Sequence, residues 1–372
     1  MVSLTTFHLK QKAGIPLAFN KLNLKPNVKI LAIPTSKHSK AGRKLHTSAT
    51  TTPNKETVHI PAPTKSNGTS TSTSPQSPSK QQEREYKATL LVKCKDAKGV
   101  VASLAQLLYG LGCNITQSDQ FSEDDMFFQR IELDYSDLLV GVGNTIVLEN
   151  GVEEVARRFN MEWRIAYQDR VKKAALLVSK LDHCLYDLLI RRESGELNID
   201  IPIIISNHPS LESVADKFEV DFVHLPVDGK NPTDKAAQEA RLDTLLQEKG
   251  IDFLVLARYM QIFSKDFCER HAHHTINIHH SFLPAFEGGR PYHRAHERGV
   301  KIIGATAHYA TAELDAGPII AQDVTRVSHR DGVKDLVRKG RDLERLVLSR
   351  AVRWHIQDRI IVHNNKTVVF EE

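Results

Sequence analysis

The chain has 372 residues, of which 41% are apolar, enough for one to three domains with sizeable cores. Its formal charge of +5 is unevenly spread: residues 1–80 hold 12 of the 50 Lys/Arg and one of the 45 acids, so the rest carries −6. A mildly acidic body argues against nucleic acid as the main partner, no apolar run is long enough to span a bilayer, and four widely spaced cysteines exclude the usual zinc and redox spacings.

No acid precedes Glu56, and the segment is rich in Lys, Ser, Thr, Leu and Phe, with Arg43-Lys44-Leu45-His46 near its end. Residues 1–55 therefore read as a transit peptide, which implies the mitochondrial matrix. Residues 56–84 read as a disordered linker, Pro/Ser/Thr-rich over 61–80. Residues 85–168 give a first domain. Strand 86–93 is followed by the turn Asp96-Ala97-Lys98-Gly99 and a helix Val100–Leu111. A hairpin pairs Cys113–Phe121 with Met126–Tyr135. Helix Gly151–Asn160 and strand Met161–Tyr167 complete it. The order βαββαβ is a ferredoxin-like split unit. Its opening, strand then Asp-x-x-Gly then helix, resembles an ACT domain, a small amino-acid-binding or pairing module.

Residues 169–372 change rhythm. Short buried strands are expected at Ala174–Ser179, Ile201–Ser206, Asp221–Leu225 and Asp252–Ala257. The intervening helices are Leu185–Arg192, Leu211–Phe218 and Asp234–Lys249, with Thr233 and Ser264 as N-caps. This is α/β: a doubly wound, mostly parallel sheet whose ligands sit at the carboxyl ends of its strands. No Gly-x-Gly-x-x-Gly follows any strand, which argues against a dinucleotide. In Asn277-Ile278-His279, period-2 geometry points Asn277 and His279 to one face. Asp315 precedes an Ala-Gly turn. An amide donor, an imidazole and a carboxylate are a minimal kit for attack on a carbonyl.

The runs Ile276–Phe286, Arg290-Pro291-Tyr292-His293, Val300–Tyr309 and Asp315-Ala316-Gly317-Pro318-Ile319-Ile320 closely resemble the formyltetrahydrofolate family of hydrolases and transferases. The resemblance is strongest to its deformylase branch and covers roughly Tyr86 to the C-terminus. It implies hydrolysis of 10-formyltetrahydrofolate to tetrahydrofolate and formate, in one-carbon and purine metabolism. Asn277 would donate to the oxyanion. His279, as imidazolium, would add a second donor and later deliver a proton. Asp315 would orient or deprotonate water. Tyr259, Met260 and Ile262 would line one wall of the folate pocket, with Thr311, Leu314 and the loop to Asp315 on the other and His308 in support. His183, His280 and Gln261 are further candidates. Gln261 stands where bacterial relatives commonly carry Arg, and His280 is expected to face away from His279 if the strand persists.

The alternative is formyl transfer to an amine such as glycinamide ribonucleotide. The loop Ser179-Lys180-Leu181-Asp182-His183-Cys184 speaks against it, having no glycine to let backbone N–H groups wrap a phosphate. A metal hydrolase is a second rival, because His271, His273, His274, His279 and His280 lie close in sequence. None falls in a recognised ligand spacing, so neither metal nor cofactor is expected. A non-catalytic amino-acid sensor is the third. Expected partners are the folate, water, an amino-acid effector at the first domain, and further copies of the chain in a homo-oligomer.

Overall fold

The computed structural model describes residues 86–227, 231–285 and 290–371. The expected transit peptide and linker lie outside the described residues.

The first unit is β1 (Lys87–Lys95), α1 (Val100–Gly110), β2 (Asn114–Glu123), β3 (Met126–Asp134), α2 (Thr145–Phe159) and β4 (Glu162–Tyr167). Its antiparallel sheet has the order β2-β3-β1-β4, which fits an ACT-like domain. Alternate residues Ala88, Leu90, Val92 and Cys94 of β1 bury against Leu104 and Leu108 of α1 and Leu148, Val152 and Ala156 of α2. Helix α2 starts six residues before the expected Gly151. Gly151 is not a helix start but a packing gap. A Cβ there would lie 2.7 Å from a Leu107 methyl, so the glycine lets α2 close on α1.

The second unit runs β5 (Lys172–Val178), α3 (His183–Glu193), β6 (Ile199–Ser206), α4 (Glu212–Lys217), β7 (Asp221–His224), α5 (Pro232–Lys249), β8 (Phe253–Leu256), α6 (Lys265–Arg270) and β9 (Thr275–His279). It continues with α7 (Pro291–Arg298), β10 (Ile302–Tyr309), β11 (Ile319–Arg326) and α8 (Val333–Ile356), and closes on the hairpin β12 (Ile360–His363) and β13 (Lys366–Val369). The seven-stranded sheet has the order β11-β10-β9-β8-β5-β6-β7. Strands β9 to β7 are parallel, whereas β10 is antiparallel to both its neighbours. Helices cover both faces, which is why residues 174–178 of β5 and all of β8 read as unbroken apolar runs. Ser264 caps α6, accepting from Phe267 N at 3.2 Å. Thr233 does not cap α5. Asn231 does, accepting from Thr233 N and Asp234 N, because Pro232 takes the first helical position and pushes the cap upstream.

The two units meet at the C-terminal end of α8. Leu91 and Phe128 of the ACT-like sheet pack on Ile361 and Phe370. Arg130, 1% exposed, donates to the main-chain oxygens of Gln357 and Asp358 at 3.0 Å each. Lys172 reaches Ile356 O at 2.9 Å and the Asp358 carboxylate at 2.6 Å, and Arg164 adds a 2.7 Å contact to the same carboxylate. These cations satisfy the carbonyls that a helix leaves open at its C-terminus and complement its negative end. Replacing Asp358 by Ala leaves the half-buried Lys172 without its counter-ion. The expected loss is about 1–3 kcal/mol, read as a lowered midpoint in urea unfolding, with an unchanged midpoint as the contrary result.

Candidate active site

Strand β9 ends at His279, at the carboxyl edge of the parallel part of the sheet. Antiparallel pairing sets His308 of β10 opposite Asn277, and Thr306 opposite His279. The chain then turns back between β10 and β11. A Cβ on Gly317 would lie 1.8 Å from the Tyr309 carbonyl oxygen, so only glycine lets the returning loop close on β10. Tyr309 N donates to Pro318 O at 2.9 Å across this closure, and Thr311 Oγ1 donates to Glu313 O inside the loop. Asp315 sits in the loop at φ 57°, a conformation that Asp tolerates better than most residues.

This path brings Asp315 onto the two histidines. Its Oδ1 lies 3.1 Å from His279 Nδ1 and 3.9 Å from His308 Nε2. His308 Nδ1 faces Tyr309 O at 2.9 Å, so that nitrogen carries the proton and Nε2 accepts from Asn277 Nδ2 at 3.1 Å. One amide hydrogen of Asn277 is left for another acceptor. His279 gives Nδ1–H to Asp315, and its Nε2 is buried with no hydrogen-bond partner. Burial lowers the His308 pKa and keeps that ring neutral. Burial alone would raise the Asp315 carboxyl, but the His279 hydrogen bond and the attraction of that ring outweigh it and hold the group below its ordinary value.

The structure thus brings Asn277, His279, Asp315 and His308 together. Tyr259 is 6% exposed, stacks on Phe263 at 5.7 Å and accepts from Gln238 Nε2 at 3.3 Å, so its ring packs in the core with α5 and α6. Met260, Ile262 and Leu314 are 60%, 59% and 58% exposed, as apolar side chains awaiting a ligand would be. Gln261 is half-buried between the two, and Thr311 is half-buried at the start of the loop. His280 follows the last residue of β9, so strict alternation stops there. Its ring lies 5.2 Å from that of His279 and 6.0 Å from Tyr292. Burial, helped by Arg258, pulls its pKa down to about 3.

Sequence reasoning missed a buried ionic cluster next to this site. Glu344 of α8, 1% exposed, accepts from Tyr292 Oη at 2.6 Å and pairs with His183 Nε2 at 2.7 Å. Arg258 Nε stands 3.3 Å from the same carboxylate. Arg258 holds φ 66°, which costs a non-glycine residue about 1–2 kcal/mol. Gly340, one turn before Glu344, makes room: a Cβ there would lie 2.0 Å from the Tyr292 hydroxyl. His183 is the first residue of α3 and not part of the preceding loop. A signal did exist, since Glu344 interrupts the inward stripe Leu336, Gly340, Leu343, Val347.

Among the described residues, one group of metal-ligand type comes close enough to hold an ion: His183, Cys184 and Glu344. Arg258 already fills the cationic place beside Glu344, and burial pushes the Cys184 thiol well up. Of the other histidines, His271 pairs with Asp243 at 2.7 Å, while His273 and His274 lie exposed beyond the end of α6.

A formyl transferase family model matches residues 172–352. The formyltetrahydrofolate deformylase of Synechocystis sp. is 53% identical over 285 residues, 76% of this chain and 98% of that protein. The crystal structure of a formyltetrahydrofolate deformylase from Pseudomonas syringae superposes with a TM-score of 0.73 at 43% identity, covering 78% of this chain and 96% of the other. A glycinamide ribonucleotide transformylase from Symbiobacterium toebii gives 0.51 at 29% identity, over 55% of this chain and 97% of the other.

The depressed Asp315 pKa fixes the sign of a pH effect. Its contribution to stability is present above the ordinary carboxyl pKa, about 4, and is lost as pH falls through the lower folded value. Asn also tolerates positive φ, so Asp315→Asn isolates the charge. Urea unfolding at several pH values should show the native protein more stable than Asp315→Asn at pH 7, with the gap closing below about pH 4. A gap independent of pH would mean that the carboxylate's charge plays no part.

Proposed function

The chain belongs to the formyltetrahydrofolate deformylase family, and on that premise we propose that it hydrolyses 10-formyltetrahydrofolate to formate and tetrahydrofolate. The observation that carries the reading is the unpartnered Nε2 of His279, backed by Asp315 on Nδ1 and flanked by Asn277. The formyl group is an amide-like carbon and a poor electrophile. As water attacks, Nε2 takes its proton and the imidazolium forms against the Asp315 carboxylate. The new oxyanion accepts the free N–H of Asn277, which neutral His308 holds in place. The same proton then passes from Nε2 to N10, the C–N10 bond breaks, and formic acid leaves and ionises. Asp315 is the orienting partner here, since its oxygen is engaged on Nδ1 and its depressed pKa makes it a weak base. Met260, Ile262 and Leu314 offer apolar surface to the pterin, with Gln261 and Thr311 beside them. No resident cofactor or metal enters the scheme.

Three further assignments extend this reading. The ACT-like domain binds a small amino acid such as glycine or methionine as effector, and pairs copies of the chain into a homo-oligomer. Residues 1–55 direct the protein to the mitochondrial matrix, on the strength of their acid-free basic composition. There it would balance one-carbon carriers that also supply purine synthesis.

Purified protein given 10-formyltetrahydrofolate alone should release formate. Asn277→Ala, His279→Ala and Asp315→Asn should each lower the rate by about 10²–10³. Their pairs should lose less than the product of the single losses, because the groups act as a unit. Absence of formate until an amine acceptor is added would overturn the hydrolytic assignment.

A further inference from the structure

In an open α/β sheet, ligands enter the crevice where the strand order reverses. Here that point lies between β5 and β8, flanked by the loop after β5 and by Arg258 after β8. The crevice is filled by the chain's own groups. Ser179 Oγ donates to Asn207 and accepts from Met260 N, drawing the two loops together at 2.7 and 3.0 Å. Behind them, both oxygens of Glu344 are engaged, one by Tyr292 and one by His183.

On the outer side of this cluster is a cavity of about 530 Å³ lined by His183, His293, Lys334, Arg338, Arg341 and Arg345. The four α8 cations recur at helical spacing, and Asp342 is the single acid among the lining residues. Such a cavity attracts an anionic group. On the inner side, contacts run from Glu344 to Tyr292, from Tyr292 to His280 at 6.0 Å, and from His280 to His279 at 5.2 Å. His183 belongs to both sides, lining the basic cavity while bound to Glu344. Its side chain is 8% exposed, and its Nδ1 is buried without a partner.

We propose that His183 is a specificity-determining residue: it closes the partition between the basic cavity and the catalytic imidazole, so that water, and not a phosphorylated amine, reaches the formyl carbon. The inference rests on the hydrolytic reading above. The cavity suits the phosphate of such an amine. The His183–Glu344 pair denies it passage, by bulk and by a buried negative charge already spoken for. A shorter residue at 183 would open the path and free one oxygen of Glu344 for a ligand hydroxyl or ammonium.

The test begins with formate release by the native enzyme without acceptor, which decides the hydrolytic reading by itself. Glycinamide ribonucleotide is then titrated into the native protein, His183→Ser and His183→Gln. The native and Gln forms, which keep bulk and a donor toward Glu344, should be indifferent to it. The Ser form should be inhibited, with an inhibition constant about tenfold or more below any seen with the native protein. A purely structural His183 would lower turnover without creating this sensitivity. The proposal is overturned if the Ser form is as indifferent as the native one, or if the native protein is already inhibited over the same range. Should circular dichroism show that the Ser form does not fold, His183→Asn, also shorter than His, carries the same comparison.

Discussion

The contact between the Asp315 carboxylate and His279 Nδ1 is the constraint on which the active centre depends. It fixes which nitrogen of His279 carries the proton, and so which nitrogen faces the reaction. The contact exists because three separate features agree. Strand β9 delivers His279 at its last residue, β10 runs antiparallel beside it, and the loop after β10 folds back tightly enough for residue 315 to return over the sheet. That return needs a residue without a side chain at 317 and one tolerant of positive φ at 315. The neutral imidazole of His308 then orients Asn277.

A second buried carboxylate, Glu344, solves a different problem. Burying a lone carboxylate is costly, and here three neighbours offset the desolvation. The strained backbone of Arg258 and the missing side chain at 340 both serve that arrangement. Arg258 also reaches outward electrostatically, helping to keep His280 uncharged next to His279. Burial and Arg258 thus leave His280 uncharged beside the ring whose Nδ1 is held by Asp315.

Much of this was legible in the chain. The alternation in Asn277-Ile278-His279 and the turn chemistry around Asp315 are local signals, and local geometry turned them into a shared face and a returning loop. The element order of both units was legible for the same reason, since apolar periodicity acts within one strand or helix. What was not legible depends on contacts between distant residues. Gly151 looks like a helix breaker until Leu107 is seen against it. Tyr259 sits next to exposed Met260, and only the packing of α5 and α6 decides that its ring turns inward. The cap of α5 moved because Pro232 outranks Thr233 for the first helical turn. The Glu344 cluster joins residues up to 161 positions apart, and no window of sequence contains it.

Arg130 holds the end of α8 through main-chain oxygens of residues 357 and 358, not through their side chains. Backbone carbonyls are the same whatever residue supplies them. On the catalytic side, then, this one contact is blind to amino-acid identity, although the Gln357 side chain separately accepts from Arg359 Nε at 2.9 Å. On the ACT-like side the same contact is specific to identity, because both bonds come from one guanidinium with its fixed fork of donors. This contact is therefore lopsided in its tolerance of change, while Arg164 on the Asp358 carboxylate and Leu91 and Phe128 on Ile361 and Phe370 hold the same joint through side chains on both lips.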